Sequence, residues 1–273
     1  MSVTIHPTAI IASSAQLGID VTIGPYVVIE DDVDVGDRTY IDSHAVIKQY
    51  TKVGTDNHVH SHAMVGGQPQ DLKFAGEITW LEIGNYNKIR EFATLHRGTA
   101  GGGGITKIGN NNLFMAYTHV AHDCILGSNI VMSNCSTLAG HVHLGDFTIL
   151  GGLSAVHQFC KIGEHAFIGG MTGITQDIPP WMLITGRKGI IHGPNLVGLR
   201  RANVPSTTIA AIKDTFKIIW KSTIPRQESL KTLEKKYPDV PEVQSIIHFI
   251  RNSERGVYHT ASGSETSDEL DLL

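Results

Sequence analysis

Fifteen histidines are many for a chain of 273 residues, and five of them stand in short polar strings: His96, His119, His122, His141 and His157. Three kinds of chemistry suit such a set. One imidazole of near-neutral pKa, oriented by an acceptor, serves as a general base. Several imidazoles converging on one point at about 2.0–2.1 Å hold a metal ion. Histidines spread along flat strands fill a subunit interface. His122 is followed directly by Asp123, a candidate orienting acid. Successive strand residues point to opposite faces, so on a strand the orienting would fall to a corner or a backbone carbonyl. Asp123 and Asp146 are the obvious carboxylates near the set, which argues against a cage of metal ligands; no metal and no cofactor is expected. Lys73 is a cation in a polar stretch, suited to a phosphate-bearing substrate.

The residues that must position this set recur every six. Ile5, Ile11, Leu17, Ile23, Ile29, Val35, Ile41, Ile47, Val53, Val59 and Val65 are all Ile, Leu or Val. Those types make up about a quarter of the chain, so chance gives the run odds on the order of one in a few million. The fourth residue after each is mostly small or β-branched, as in Ala9, Ala15, Val21, Val27, Val33 and Thr39. The register resumes at Ile83, Ile89 and Leu95, slips by one, and runs from Ile108 through Ile174. Period six is neither helical nor a plain strand alternation. It fits a triangular parallel β-solenoid in which three hexads make one coil, the aliphatic points inward and the small residue lets the chain turn. Coils one strand spacing apart give a prism roughly 45–50 Å long. Val120, Leu138 and Val156 then share a face, and His122, His141 and His157 are expected to form a ladder on or near it. His119 sits at the preceding corner and His96 on the neighbouring face.

The predicted prism spans 1–180 and ends at Ile178-Pro179-Pro180. Two segments break it. Residues 66–81 keep the register modulo 18 and read as an excursion replacing coil residues; 98–104 (GTAGGGG) reads as a flexible loop. Solenoids carry function on such insertions. A connector covers 181–204. Apolar residues at helical spacing over Ser206–Ser222, Gln227–Tyr237 and Asp239–Asn252 predict a small α-helical domain at 205–256, with Asp239 as a cap. The Ser/Glu/Asp-rich tail, 257–273, reads as disordered.

Composition removes other classes. A net charge of −4 offers no basic surplus for nucleic acid. No apolar run approaches the roughly 18 residues of a membrane span, and the first residues lack the pattern of a signal peptide. Cys124, Cys135 and Cys160 are odd in number and lie in apolar-periodic sequence, which predicts reduced core residues. The expected compartment is cytoplasmic.

Several strings together resemble one family, the UDP-N-acetylglucosamine O-acyltransferases that open lipid A synthesis. They are Gln70-Asp71-Leu72-Lys73-Phe74-Ala75-Gly76, Ile89-Arg90-Glu91, His96-Arg97-Gly98-Thr99, His119-Val120-Ala121-His122-Asp123-Cys124, Leu138-Ala139-Gly140-His141 and Val156-His157-Gln158-Phe159-Cys160. The likeness runs from about residue 5 to 256. It implies a left-handed parallel β-helix with a small C-terminal α-helical domain, assembled as a homotrimer with active sites between subunits. It implies transfer of an (R)-3-hydroxyacyl group from acyl carrier protein to the 3-hydroxyl of UDP-N-acetylglucosamine. By matched position His122 is the general base, Asp123 its supporting acid and the Gly140 N–H the oxyanion donor. Asp71, Lys73, His96, His119, His141, His157 and Gln158 line the donor and sugar-nucleotide site. Asn195 and Arg201 hold the nucleotide, and Gly170 limits acyl length. Arg201 is followed by Ala202-Asn203-Val204, where the family pattern continues after its arginine pair with Gly-Phe. The cations Arg200, Arg201, Lys213, Lys217 and Lys221 either meet acidic acyl carrier protein or form a solvated helix face. Two other readings are a non-catalytic or zinc-binding hexapeptide scaffold, and the related N-acyltransferase of the same pathway. The latter generally carries an extra N-terminal domain, whereas hexads here begin by Ile5.

Overall fold

The computed structural model describes residues 3–258. Each hexad aliphatic is the inward residue of a short strand, and the strands stack into three sheets of eleven, nine and eight strands, parallel except for the last strand of the first sheet. These are the flat sides of a left-handed parallel β-helix. The first face starts at Thr4–Ile5, the second at Ile10–Ile11 and the third at Gln16–Leu17. Each strand pairs with the one a coil later: Ile5 with Ile23, Ile11 with Ile29, Leu17 with Val35. The corner residues Val21, Val27, Val33, Thr39 and Ala45 point inward with the aliphatics and are 0% exposed. Full burial of one Val or Ile contributes about 1.5–3 kcal/mol, so a repeated hexad is also a repeated increment of stability.

From the third corner on, the regular corners carry a non-glycine residue of positive φ at six-residue spacing, opening with Asp20, Tyr26, Asp32, Arg38, His44 and Tyr50. That conformation is unusual for side-chain-bearing residues. It persists because the backbone N–H there reaches the coil below: Arg38 donates to the Ile19 carbonyl at 2.8 Å and His44 to that of Pro25 at 3.0 Å. Stacked side chains add to it, as in the edge column Tyr26, His44, His62, Phe92 and Tyr117.

Both insertions leave at one corner, between the second and third faces. Ile83 pairs with Val53 and Ile108 with Ile83, so these coils are twelve and seven residues longer than a plain coil of eighteen. The segment at 66–81 therefore adds residues between Val65 on the second face and Ile83 on the third. It does not replace coil residues. Twelve is a multiple of six, which is why the register passes through it unchanged.

Beyond the two prolines the first face gains one more parallel strand, Met182–Thr185, paired with Phe167–Ile168. An antiparallel strand, Ile190–Pro194, folds back on it. Helix α1 (Leu196–Arg201) follows, capped by the Asn195 side chain. Helix α2 (Ser206–Phe216) runs into a π turn at Lys217–Lys221. Helices α3 (Arg226–Lys236) and α4 (Pro241–Arg251) complete the set. The N-cap of α4 is Val240, with Pro241 at the first helical position, and not Asp239. Leu199, Ile212, Phe216, Leu233 and Ile246 join the same core as the prism aliphatics, so the helices close the end of the solenoid. Val257 and Tyr258 belong to this packing and not to a tail: Val257 bridges to Asp177, and the Tyr258 hydroxyl accepts from the Thr175 N–H at 2.6 Å. The rest of the acidic tail lies outside the described residues.

Candidate active site

His122 and Asp123 occupy the corner between the second and third faces, one coil past the two insertions. Asp123 is one of the corner residues of positive φ. There the alternation of strand side chains no longer holds, and the two neighbours point together: His122 Nδ1 lies 2.8 Å from Asp123 Oδ2. The aspartate orients the ring itself, where strand geometry required a corner or a carbonyl. An Nδ1–H donated to the carboxylate leaves Nε2 with its lone pair, the tautomer that a general base requires.

The Asp123 side chain is 0% exposed. A buried carboxylate needs donors, and Thr99 supplies two. Its N–H donates to Oδ1 at 2.8 Å and its hydroxyl to Oδ2 at 2.7 Å. Thr99 begins the second insertion, whose Gly102 packs so closely that a Cβ there would sit 2.0 Å from Asp123 Cγ. The two insertions are tied to each other by Glu77, which accepts from the Ala75 N–H at 2.8 Å and the Ala100 N–H at 3.2 Å. Arg97 is 1% exposed and lies between the rings of Tyr50 and Phe74, at 5.1 and 5.3 Å. It fastens the first insertion, which carries Asp71 and Lys73, to the prism wall. Sequence reasoning assigned no role to Thr99, Glu77 or Arg97. Thr99 and Arg97 stand in the His96-Arg97-Gly98-Thr99 string, but its spacing does not reveal that they reach sideways to the next coil and to the other insertion.

Around the dyad stand three more imidazoles. His141, in the same corner column as Asp123, has Nε2 3.6 Å from Asp123 Oδ2 and its ring edge-on to His122 at 5.2 Å. Burial lowers its pKa, against the opposing pull of the Asp123 and Asp71 charges, which places Asp71 electrostatically at the site. His119 is held by the Thr94 hydroxyl at 2.7 Å, and its ring meets that of His96 at 4.8 Å. Burial pushes His96 down to about 4, and His119 and His122 add to the effect. These rings are neutral at pH 7, able to donate and accept hydrogen bonds without adding charge.

Gly140 lies beside His122 on the next coil. A Cβ there would come 2.5 Å from His122 Cε1 and 2.8 Å from Nε2. Among the described residues its N–H makes no hydrogen bond, although the residue is buried and buried N–H groups are nearly always paired. It is an unpaired donor on the residue packed against the His122 ring.

His157 does not join the ladder. His122, His141 and His157 take three successive corner positions on three successive coils, so only the first two touch. His157 is exposed, with its ring against the Gln158 carbonyl at 3.2 Å, and Gln158 and Lys73 are exposed as well. Asn195 and Arg201 are elsewhere in the chain. They line a groove of about 970 Å³ on the first face with Val131, Phe147, Phe167 and Trp181. The Asn195 side chain is engaged structurally: it accepts from the Gly198 N–H at 2.9 Å and donates to the His165 carbonyl at 3.0 Å. Gly170 is exposed at the corner between the first and second faces, with Gly152 one coil below. Cys124 and Cys160 are buried, and burial raises their thiols to about 12 and about 11, so neither is a nucleophile at neutral pH.

His122, Asp123 and His141 bring three potential metal ligands within 4.8 Å of one another. The Asp123 oxygens already accept from Thr99 twice and from His122, so this cluster is built as a hydrogen-bonded relay. Among the described residues no helix is long and apolar enough to cross a membrane.

Known proteins resemble this chain over nearly its whole length. Residues 177–258 match the family model described as UDP-N-acetylglucosamine O-acyltransferase, domain 2, and 14–49 and 105–140 match bacterial transferase hexapeptide repeats. The acyl-(acyl carrier protein)–UDP-N-acetylglucosamine O-acyltransferase of Janthinobacterium sp. is 48% identical, over 93% of this chain and 98% of its own. The crystal structure of UDP-N-acetylglucosamine O-acyltransferase from Moraxella catarrhalis superposes with a TM-score of 0.89 at 42% identity, covering 92% of this chain and 98% of that one. That of the Francisella novicida enzyme gives 0.92 at 33% identity and 99% coverage of both chains. With near-complete coverage at such identity, and the same solenoid, this chain belongs to the acyl-(acyl carrier protein)–UDP-N-acetylglucosamine O-acyltransferase family.

Proposed function

We propose that the chain catalyses the first step of lipid A biosynthesis, moving an (R)-3-hydroxyacyl group from acyl carrier protein to the 3-hydroxyl of UDP-N-acetylglucosamine, with His122 as general base. The observation that carries this reading is the His122–Asp123 contact of 2.8 Å on a buried, fully donated carboxylate. A sugar hydroxyl is a poor nucleophile and must lose its proton as it attacks the thioester carbon. His122 Nε2 takes that proton while the oxygen–carbon bond forms. Asp123 holds the ring and stabilises the imidazolium. The carbonyl oxygen gains negative charge, and the N–H of Gly140, the residue packed against the His122 ring, donates to it, a contact of the kind worth about 3–4 kcal/mol. Collapse of the tetrahedral intermediate breaks the carbon–sulfur bond, and the imidazolium returns its proton to the leaving thiolate. No metal is required.

Asp71 and Lys73 on the first insertion, with His96, His119, His141, His157 and Gln158, would line the donor and sugar sites. Asn195 and Arg201 would hold the nucleotide. They occupy a different face from His122, so one chain offers two half-sites. A homotrimer in which the first-face groove of one copy meets the His122 corner of its neighbour joins them, and this supports trimeric assembly. The compartment consistent with an acyl carrier protein donor is the cytoplasm. The test is mass spectrometry of the product from UDP-N-acetylglucosamine and a panel of acyl carrier protein thioesters. A 3-O-acylated sugar nucleotide is expected. Absence of acyl transfer to the sugar, or acylation of nitrogen, would overturn the reading.

A further inference from the structure

A second histidine–carboxylate cluster stands at another corner, between the first and second faces, away from His122. His58 and His60 flank the inward Val59, so the strand turns both imidazoles outward. Val59 pairs with Ile41 below and Ile89 above, which puts Asp42 directly under His60 and Arg90 directly over it. We propose that Asp42, His58 and His60 form a binding site for a divalent cation of zinc-like chemistry that clips neighbouring coils together.

The geometry points to this in three ways. His58 Nε2 lies 2.9 Å and His60 Nδ1 3.5 Å from the same oxygen, Asp42 Oδ2. Ligands at about 2.0–2.1 Å from a tetrahedral ion stand roughly 3.3–3.4 Å apart, so small rotations of these side chains suffice. The two rings are stacked at 3.8 Å and 20°, an arrangement that two imidazolium cations would oppose, and they turn out of this stack to bring both ring planes onto one ion. The carboxylate is also free to ligate. Among the described residues, the one hydrogen bond to the Asp42 carboxylate comes from His58, whereas Asp123 accepts from three donors.

Coordination exchanges the Asp42–His58 hydrogen bond for two nitrogen–metal bonds and one oxygen–metal bond. His58 ligates through Nε2 with its proton on Nδ1, and His60 through Nδ1 with its proton on Nε2. Glu91 Oε1 is 3.8 Å from His60 Nδ1, but its carboxylate is paired with Arg90 at 2.9 Å. The remaining coordination positions therefore go to water. The three side chains are 19–38% exposed, so an ion can enter.

The experiment uses the full chain, stripped with a chelator and titrated with zinc chloride by calorimetry, with bound metal counted after desalting. Cobalt(II) reports the ligand set by its visible absorption. The native protein should hold about one zinc per chain, and zinc should raise its melting temperature. Asp42→Asn keeps the shape and removes the charge, and should weaken binding by about 10–100-fold or more, as should His60→Ala. If His60→Ala does not fold, Asp42→Asn decides alone. His122→Ala should bind like the native chain. The native protein failing to retain zinc, undiminished binding in Asp42→Asn, or loss of the site in His122→Ala would each overturn the proposal.

Discussion

Thr99 is where the arrangement of the dyad is most open to a clean perturbation. Its hydroxyl lies 2.7 Å from Asp123 Oδ2, the oxygen that also receives His122 Nδ1 at 2.8 Å. Thr99→Val keeps the shape and the backbone donor to Oδ1 but removes the hydroxyl. No water replaces it readily, because the Asp123 side chain is 0% exposed. A hydrogen bond to a charged group contributes about 1.5–3 kcal/mol. If that loss falls wholly on the transition state, where the imidazolium leans on Asp123, kcat drops about ten- to hundredfold. The Thr99 hydroxyl also accepts from the Gly102 N–H at 3.1 Å, so the variant should lose about 1 kcal/mol of stability as a missing cap. Steady-state kinetics should show the fall in kcat with KM for the sugar nucleotide nearly unchanged, and Thr99→Ser should recover most of it. A folded Thr99→Val enzyme with native kcat, or a Thr99→Ser enzyme as slow as Thr99→Val, would refute the reasoning.

Three further outcomes are expected. Gly170→Met should shift preference toward acyl chains of roughly ten carbons, each excluded methylene forfeiting about 0.8 kcal/mol. A Cβ there meets only Gly152 atoms, the nearer its carbonyl oxygen at 3.2 Å, so the change requires a shift of a few tenths of an ångström in that backbone; an unchanged profile of kcat/KM against chain length would remove Gly170 from the ruler. His96 is held at about 4 in the folded state, so the unfolded chain takes up its proton first as the pH falls. Its contribution to stability, about 3 kcal/mol, is present above pH ~6.5 and lost as the pH drops from there toward ~4. Chemical denaturation across that range should show a flatter slope in His96→Gln, and an identical slope would contradict the assignment. Mixing His122→Ala and Arg201→Ala chains through unfolding and reassembly should regain activity that neither variant has alone, because some sites then draw both intact residues from different chains. No regain would argue for sites completed within one chain.

The period of six made the solenoid legible, because one inward aliphatic per flat strand is a demand that every coil repeats. The candidate residues were legible as strings, but their mutual geometry was not. Asp123 reaches His122 because the corner imposes a positive φ, and nothing in the dipeptide announces that. The first insertion hid its length behind a multiple of six, so adding residues and replacing them look alike from the register. The shared corner of the two insertions, and with it the role of Thr99, emerges only from pairing Ile83 with Val53 and Ile108 with Ile83. The ladder expected of His157 failed for a related reason: residues one, two and three positions past the aliphatic splay around a turn. The strand Met182–Thr185 follows two prolines, which rule out a helix there but leave the residues after them free to pair.

His122 as general base is tested most directly by the turnover of His122→Ala with a 3-hydroxyacyl acyl carrier protein thioester and UDP-N-acetylglucosamine. The protein should first be shown to fold and assemble like the native chain. Removing the base should lower kcat by about 10²–10⁴-fold, with both substrates still bound. A correctly assembled His122→Ala enzyme that turns over at a near-native rate would contradict the account.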